Sequence, residues 1–511
     1  MLLHDQFGES VLRHPDKTAV IVDNARYTYE ELRRLIRQTA LVMSNEGIRA
    51  GDRVAIFLNN SVETIAGIFA ALSLGAIFVP INPLTKAQKL AYLLNDCRAS
   101  CLITEEILKP TFLKALALNN TVKLCLTKDD CLECDFNSVK HFSFTDIKIL
   151  DHSHVHSCEL IDQDLAAIIY TSGSTGDPKG VMLTHLNMVT AANSVSTYLG
   201  LRHDDIVVSS LPLSFDYGLY QVLMAAKIGA TVVLEPSFAF PLKVIERMQN
   251  ERATVFPGVP TMLVMLTQLK SLPEFDLSHL RMITNTAAAL SERLIKDLRA
   301  QFPWVRLFSM YGLTECKRAS YLPPEELDNR PTSIGRGMPN QEMFLVDNDG
   351  KRLPFGSEGE LVIRGSHVMK GYWEKPEETA KRLRTDPATG NVLLYSGDIF
   401  RTDVDGYYYF VARKDDIIKS RGEKVSPREV ENVIYGLEGV LECAVIGVAD
   451  ELLGQAVKVF IVLQDGFTYT ESDVIRYCRT HMENHMVPKY VSIEVQLPKT
   501  DTGKITKKDL A

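Results

Sequence analysis

Residues 168–185 read IIYTSGSTGDPKGVMLTH. An apolar run with strand character enters a loop of hydroxyls and glycines, and a helix signal opens after Thr184. Glycines such as Gly173 and Gly176 let the backbone approach a phosphate, and successive N–H groups form an anion nest. Thr171, Ser172, Ser174 and Thr175 add hydroxyl donors, and Lys179 adds positive charge. The spacing is not that of a Walker A loop, G-x-x-x-x-G-K-[ST], because Pro178 stands five residues beyond Gly173. A flexible Ser/Gly linker has similar composition, but this tract is set between strongly apolar strands, which favours a phosphate-binding loop.

Outward from the loop, strands and helices alternate. AVIVD reads as a short apolar strand, and Thr28 with Glu31 forms a capping box before a helix that buries Leu32, Leu35, Ile36 and Met43. DRVAIFL, IVVSSLPL and TVVLEP read as strands, with QVLMAAKIG helical between the last two. Repeated β-α-β order predicts an α/β body of mostly parallel sheets with crossover helices on both faces. From about residue 335 the texture changes: DNDG, FGSEGELVIRG and DVDGYYYF place turn residues between alternating strands, predicting antiparallel hairpins or a small barrel. Beyond RKDD a helix-strand-strand-helix-strand order predicts a small mobile α+β lid domain. The expected layout is a core over residues 1–413, its β-rich section about 335–413, and a lid over 414–511.

Composition removes several function classes. The 511 residues carry 56 Lys+Arg against 64 Asp+Glu, a formal charge of −8, with 46% hydrophobic and 23% charged residues. This is globular rather than disordered composition, and the acidic balance argues against a nucleic-acid partner, which needs a basic face. The start, MLLHDQFGES, lacks a basic region followed by an apolar stretch, so no signal peptide is expected. Ile65 to Ile81 is apolar but contains Gly67, Gly75 and Pro80, which suits a buried helix running into a buried strand better than a membrane span. Nine scattered cysteines read as reduced thiols of a cytoplasmic protein.

TSGSTGDPKG resembles the signature loop of the adenylate-forming (AMP-binding) superfamily, which includes acyl-CoA synthetases, peptide-synthetase adenylation domains and luciferases. Further stretches match in the same order: GAIFVPIN, SMYGLTE, GELVIRG, YSGDIFRTDVDGYYYFVARKDDIIKSRGEKVSPREVE and LPKTDTGKI. The resemblance spans nearly the whole chain and implies an adenylate-forming ligase: ATP and a carboxylate give an acyl-adenylate and pyrophosphate, and a pantetheine thiol then captures the acyl group. It implies that Thr171, Ser172, Gly173, Ser174, Thr175, Gly176 and Lys179 hold the β- and γ-phosphates. Glu315 would ligate Mg²⁺, a hard cation suited to carboxylate and phosphate oxygens. Thr314 would touch the α-phosphate, Tyr311 would stack on adenine, and Asp398 with Arg413 would hold the ribose hydroxyls. Lys504 would bridge the carboxylate and the α-phosphate as charge develops. Asp415 would be the hinge of the lid, and the Gly422 loop would line the pantetheine channel.

The resemblance departs at the acid pocket. Many acyl-CoA synthetases carry Phe-His after Leu-Pro, whereas this chain reads LPLSFDYGLYQ over 211–221. Phe215-Asp216 is similar to amino-acid-activating domains, in which the Asp pairs with the substrate ammonium. Asp216 therefore points to an amino or imino acid, such as proline or a β-amino acid, unless its role is structural. The resemblance places Tyr217, Tyr220, Thr284, Thr286, Met310 and Arg318 around it, a polar and bulky set that disfavours a long alkyl chain; Arg318 pairing with Asp216 would itself fill the site. With no carrier domain after the LPKTDTGKI stretch, a freestanding enzyme with a separate carrier protein, as in nonribosomal peptide synthesis, is the expected arrangement. The alternative is a small-acid or fatty acyl-CoA synthetase using CoA. No residue favours a luciferase-like oxygenase, and Lys504, Glu315 and Asp398, all present, weigh against a non-catalytic nucleotide-binding protein.

Three other signals carry less weight. His152, His154, His156 and Cys158, with Cys131 and Cys134, offer zinc-type ligands but fall in a stretch that reads as a surface connection. His481 and His485 lack the Glu placement of a metalloprotease. Cys316 has no evident partner base and reads as packing.

Overall fold

The computed structural model describes residues 1–130, 139–150, 159–171, 178–414, 416–420, 423–450, 453–499 and 505–510. Among these, strands assemble into sheets of fourteen, eight and five. The eight-stranded sheet is parallel through Arg53–Ile56, Ile77–Pro80, Ala99–Thr104, Leu124–Thr127, Lys140–Ser143 and Leu165–Thr171. Antiparallel Lys179–Thr184 and Gly371–Tyr372 finish one edge. Sequential parallel strands need crossovers, and the apolar segment Val62–Ser73 is one of them, a helix buried along its length to Leu72. Gly67 permits this: a Cβ there would stand 2.5 Å from Ile103 Cδ1. The apolar stretch is thus a core helix feeding the strand Ile77–Pro80, and among the described residues no helix is long and apolar enough to cross a membrane.

The fourteen-stranded sheet has two characters. Thr18–Val22, Thr231–Leu234, Ile206–Ser209, Val255–Gly258, Met282–Asn285 and Arg306–Tyr311 are parallel. From Ser320–Leu322 the same sheet continues antiparallel through Ser333–Gly337, Tyr408–Arg413, Val392–Thr402, Glu358–Gly365 and Gln341–Val346. The turn-rich section therefore forms antiparallel strands, as expected, but they extend the parallel sheet and do not close into a barrel. The chain changes sheet character immediately after Tyr311, which puts the loop 312–319 at the junction.

Local signals act as the sequence predicts. The Thr28 hydroxyl accepts from the Glu31 N–H at 3.1 Å while Glu31 accepts from the Thr28 N–H at 2.8 Å, opening the helix Tyr29–Asn45. Thr184 and Asn187 cap the helix His185–Leu199 in the same reciprocal way. The five-stranded sheet follows at Ile418 and has its own core: Val430, Ile434, Val474 and Cys478 of two helices cover Val445, Val457 and Ile461. Alternate residues Ala444, Ile446, Phe460 and Val462 face the other side, against Leu497. All six described cysteines are buried, and none forms a disulfide among the described residues.

Candidate active site

The strands Leu165–Thr171 and Lys179–Thr184, on either side of the expected phosphate loop, pair so that Thr171 stands opposite Lys179. Lys179 is mostly buried and forms an ion pair with Glu378, while its ammonium lies 5.7 Å from the Tyr372 ring centroid. That contact, with Lys381 on the other side, holds the Glu378 carboxyl down at about 2. Gly180 lets the neighbouring chain close in, since a Cβ there would meet Ile168 at 2.6 Å and Trp373 at 3.3 Å. Trp373 N–H donates to the Gly180 carbonyl at 2.7 Å, and Lys370 N–H to Met182 at 2.9 Å.

The same short strand reaches the loop after Tyr311. Met369 N–H donates to the Glu315 carbonyl at 2.7 Å, and the Tyr372 hydroxyl donates to Glu315 Oε1 at 2.7 Å. One segment, 369–373, thus ties the base of the phosphate loop to Glu315. The loop itself folds back tightly: Cys316 and Lys317 N–H both donate to Leu313 O, and Ala319 N–H donates to Tyr311 O at 2.9 Å. Gly312 is required for this, because a Cβ would stand 2.1 Å from the Lys317 carbonyl oxygen.

Beside this loop, Tyr311 and Asp398 meet. The Tyr311 hydroxyl donates to Asp398 Oδ2, and Arg413, the cross-strand partner of Asp398, brings its Nε to 4.0 Å from Oδ1. Burial raises the Asp398 carboxyl above the usual range, opposed by the Tyr311 hydrogen bond and the Arg413 charge. Burial, then the Asp398 charge, pushes the Tyr311 phenol well up. The Tyr311 ring packs edge-on to Phe400, with centroids 5.1 Å apart. Thr314 lies half-buried in the adjoining turn.

A cavity opens behind the loop, lined by Asp216, Tyr217, Tyr220, Thr284, Met310 and Arg318, six of the seven pocket residues expected from the sequence. Thr286 is buried at the end of the neighbouring strand but does not line the cavity, a correction to the expected set. The lining missed by the sequence reading includes Val195, Gln221, Met224 and Lys317. The free space is about 10 Å³, which admits on the order of one water. Tyr217 hydrogen-bonds to Thr284 Oγ1 at 2.6 Å. Lys317 is 1% exposed, and burial lowers its ammonium to about 8, with the Asp216 and Glu315 charges opposing. Arg318 sits with its guanidinium carbon 4.9 Å from the Tyr217 centroid.

Two matches account for most of the chain: the AMP-binding enzyme family over residues 7–373 and the AMP-binding enzyme C-terminal domain over 429–504. The chain belongs to the AMP-binding enzyme family. It is an ATP-dependent, adenylate-forming acid–thiol ligase. A long-chain-fatty-acid–CoA ligase of Bacillus subtilis is 30% identical over 526 residues, covering 98% of this chain and 92% of that protein. A crotonobetaine/carnitine–CoA ligase of Salmonella heidelberg is 32% identical over 507 residues, covering 97% of this chain and 96% of that one. Among solved structures, the anthranilate CoA ligase AuaEII in complex with anthranoyl-AMP superposes with a TM-score of 0.90 at 27% identity, covering 100% of this chain and 96% of that one.

In this AMP-binding enzyme the nucleotide-side residues expected from the sequence fall together where they are described: Lys179, Thr171, Glu315, Thr314, Tyr311, Asp398 and Arg413. Glu315 fits a Mg²⁺ site chemically, because Tyr372 occupies only Oε1 and no cation pairs with the carboxylate among the described residues. Ser172, Gly173, Ser174, Thr175, Gly176, Asp415, Gly422 and Lys504 lie outside the described residues, as do Cys131, Cys134, His152, His154, His156 and Cys158. Tyr372, Glu378 and Lys317 were missed. The pairing of the first two with Lys179 and Glu315 joins positions far apart in sequence, and no local pattern announces it. Cys316 is fully buried and its thiol is pushed up to about 12, as packing requires.

Proposed function

We propose that this enzyme activates a compact carboxylic acid with ATP and passes the acyl group to the thiol of coenzyme A. The observation that carries the reading is the end-to-end similarity to CoA ligases, over 97–98% of the chain, joined to a site whose charged groups converge on one junction. The narrow, aromatic and polar cavity supports a compact acid over a long alkyl chain.

In this reading the acid's carboxylate oxygen attacks the α-phosphorus and pyrophosphate leaves. The loop 171–176 and Lys179 hold the β- and γ-phosphates, so the phosphates replace Glu378 as the partner of Lys179. Asp398, one oxygen fixed by Tyr311 and the other beside Arg413, accepts from the ribose hydroxyls, and Tyr311 presents its ring to adenine. A Mg²⁺ at Glu315 would neutralise phosphate charge during the displacement. Thr314 contacts the α-phosphate, and Lys504 bridges it to the carboxylate as negative charge develops. The small domain, turning about Asp415, then admits the thiol, whose sulfur attacks the acyl carbon as AMP departs. The core over 1–413 and the lid over 414–511 are the units of that motion.

A second reading, an amino or imino acid delivered to a separate carrier protein, is favoured by one observation, the presence of Asp216 in the cavity lining. Incubation with ATP, Mg²⁺, CoA and a panel of acids, followed by mass spectrometry, tests the two. Acyl-CoA formed in step with AMP supports the proposal. An acyl-adenylate of an amino acid that discharges only onto a pantetheinylated carrier protein would replace it with the second reading.

A further inference from the structure

The acid cavity holds two buried cationic side chains whose hydrogen bonding is incomplete: Arg318 Nη1 donates to the Lys317 carbonyl at 2.8 Å, but its Nε and Lys317 Nζ are left over. Lys317 is 1% and Arg318 6% exposed, both line the cavity, and neither Lys317 Nζ nor Arg318 Nε has a hydrogen-bond partner among the described residues. Lys317 is placed there by a left-handed backbone, φ +65°, which costs a non-glycine residue about 1 kcal/mol or more. Aromatic faces offset part of the burial, Tyr220 at 5.9 Å from the Lys317 ammonium and Tyr217 under Arg318, but a ring face satisfies no specific N–H direction.

Acceptors in the cavity are already engaged or out of reach. The Tyr217 hydroxyl is tied to Thr284, and that of Tyr220 faces the Met188 carbonyl at 3.5 Å. Asp216 lines the cavity without an ion-pair contact to Lys317 or Arg318. One carboxylate against an ammonium and a guanidinium leaves the donors in surplus. Buried polar groups in folded proteins are satisfied, so Lys317 Nζ and Arg318 Nε, left over on two residues that line one cavity, mark the place of a ligand acceptor.

We infer that the acid activated here carries a second anionic group at the end remote from the reacting carboxylate, and that Lys317 and Arg318 bind it; the substrate class is a compact dicarboxylic acid. This rests on the adenylating reading above and specifies its substrate. It assigns to Lys317 a specificity role that Asp216 alone does not explain: Asp216 sets the distance at which a second anion is tolerated, while the two cations attract it.

The test is acid-dependent ATP–pyrophosphate exchange with succinate and glutarate, their monoacid counterparts butyrate and valerate, and the amino acids β-alanine and proline. The expected result is kcat/KM for a dicarboxylate about tenfold or more above its monoacid, because a site built to hydrogen-bond a group discriminates strongly against the analogue lacking it. In Lys317→Met that ratio falls to near one. Asp216→Asn, which removes the competing carboxylate without changing shape, lowers KM for succinate. Melting curves establish that each variant is folded, and the wild-type ratio decides the matter should Lys317→Met not fold. Exchange with monoacids or amino acids in preference to dicarboxylates, or an unchanged ratio in folded Lys317→Met, overturns the inference and leaves the adenylating reading standing. Absence of exchange with every acid would overturn that reading as well.

Discussion

The two halves of the site differ in how their polar groups are settled. On the nucleotide side, Lys179 rests on Glu378, Glu315 accepts from Tyr372, and Asp398 accepts from Tyr311 with Arg413 beside it. On the acid side, Lys317 Nζ and Arg318 Nε have no partner among the described residues, at less than a tenth exposure. In the proposed reading, the nucleotide half has partners that ATP would displace or share. The proposed acid half keeps donors that a ligand would complete. The reaction class is shared with the family, and the proposed substrate class rests on what this network leaves open.

Removing the charge proposed for catalysis gives the largest expected effect. Lys504→Ala should lower acid-dependent exchange by about 10²–10³-fold in kcat, with KM for ATP changing far less; a variant with wild-type exchange would take Lys504 out of the chemistry. Asp398→Ala comes next, with KM for ATP rising about tenfold and KM for the acid nearly unmoved. If the acid's KM moved instead, the division between the halves would be misplaced. Tyr372→Phe removes one hydrogen bond to Glu315 and should cost a few-fold in kcat, recoverable at raised Mg²⁺. An effect that Mg²⁺ does not relieve would detach Tyr372 from the metal.

The smallest effect is on stability. His367 is fully buried, neither ring nitrogen has a hydrogen-bond partner among the described residues, and burial lowers it to about 4. The unfolded chain takes up a proton near 6.5 while the folded one does not until about 4. Stability is therefore complete above 6.5 and is lost as pH falls toward 4. His185, also held at about 4 mainly by burial, adds to the same window. Melting curves between pH 7 and 5 should fall by several degrees, and His367→Leu should flatten that dependence; an unchanged slope would remove His367 as its source.

Much of the fold was legible because it is locally encoded. The capping pairs Thr28/Glu31 and Thr184/Asn187 and the apolar strands need only a few neighbouring residues to act. The residues proposed for the nucleotide could be named from the sequence because each belongs to a short motif. The joining of the turn-rich section to the parallel sheet was not, since it depends on Ser333–Gly337 pairing with Tyr408–Arg413 across a long stretch of chain. Lys317 was passed over for a physical reason: a lysine between Cys316 and Arg318 reads as solvated, and only the fold-back onto Gly312 turns it inward. Thr286 failed in the opposite sense, sharing its strand end with Thr284 but not the cavity.

The most direct test of the account is ATP–pyrophosphate exchange without any thiol, followed by addition of CoA. The account predicts exchange that depends strictly on the acid and, once CoA is present, AMP and acyl-CoA released in equal amounts. Exchange that proceeds without an acid, or an acyl-adenylate that CoA fails to discharge, would contradict it.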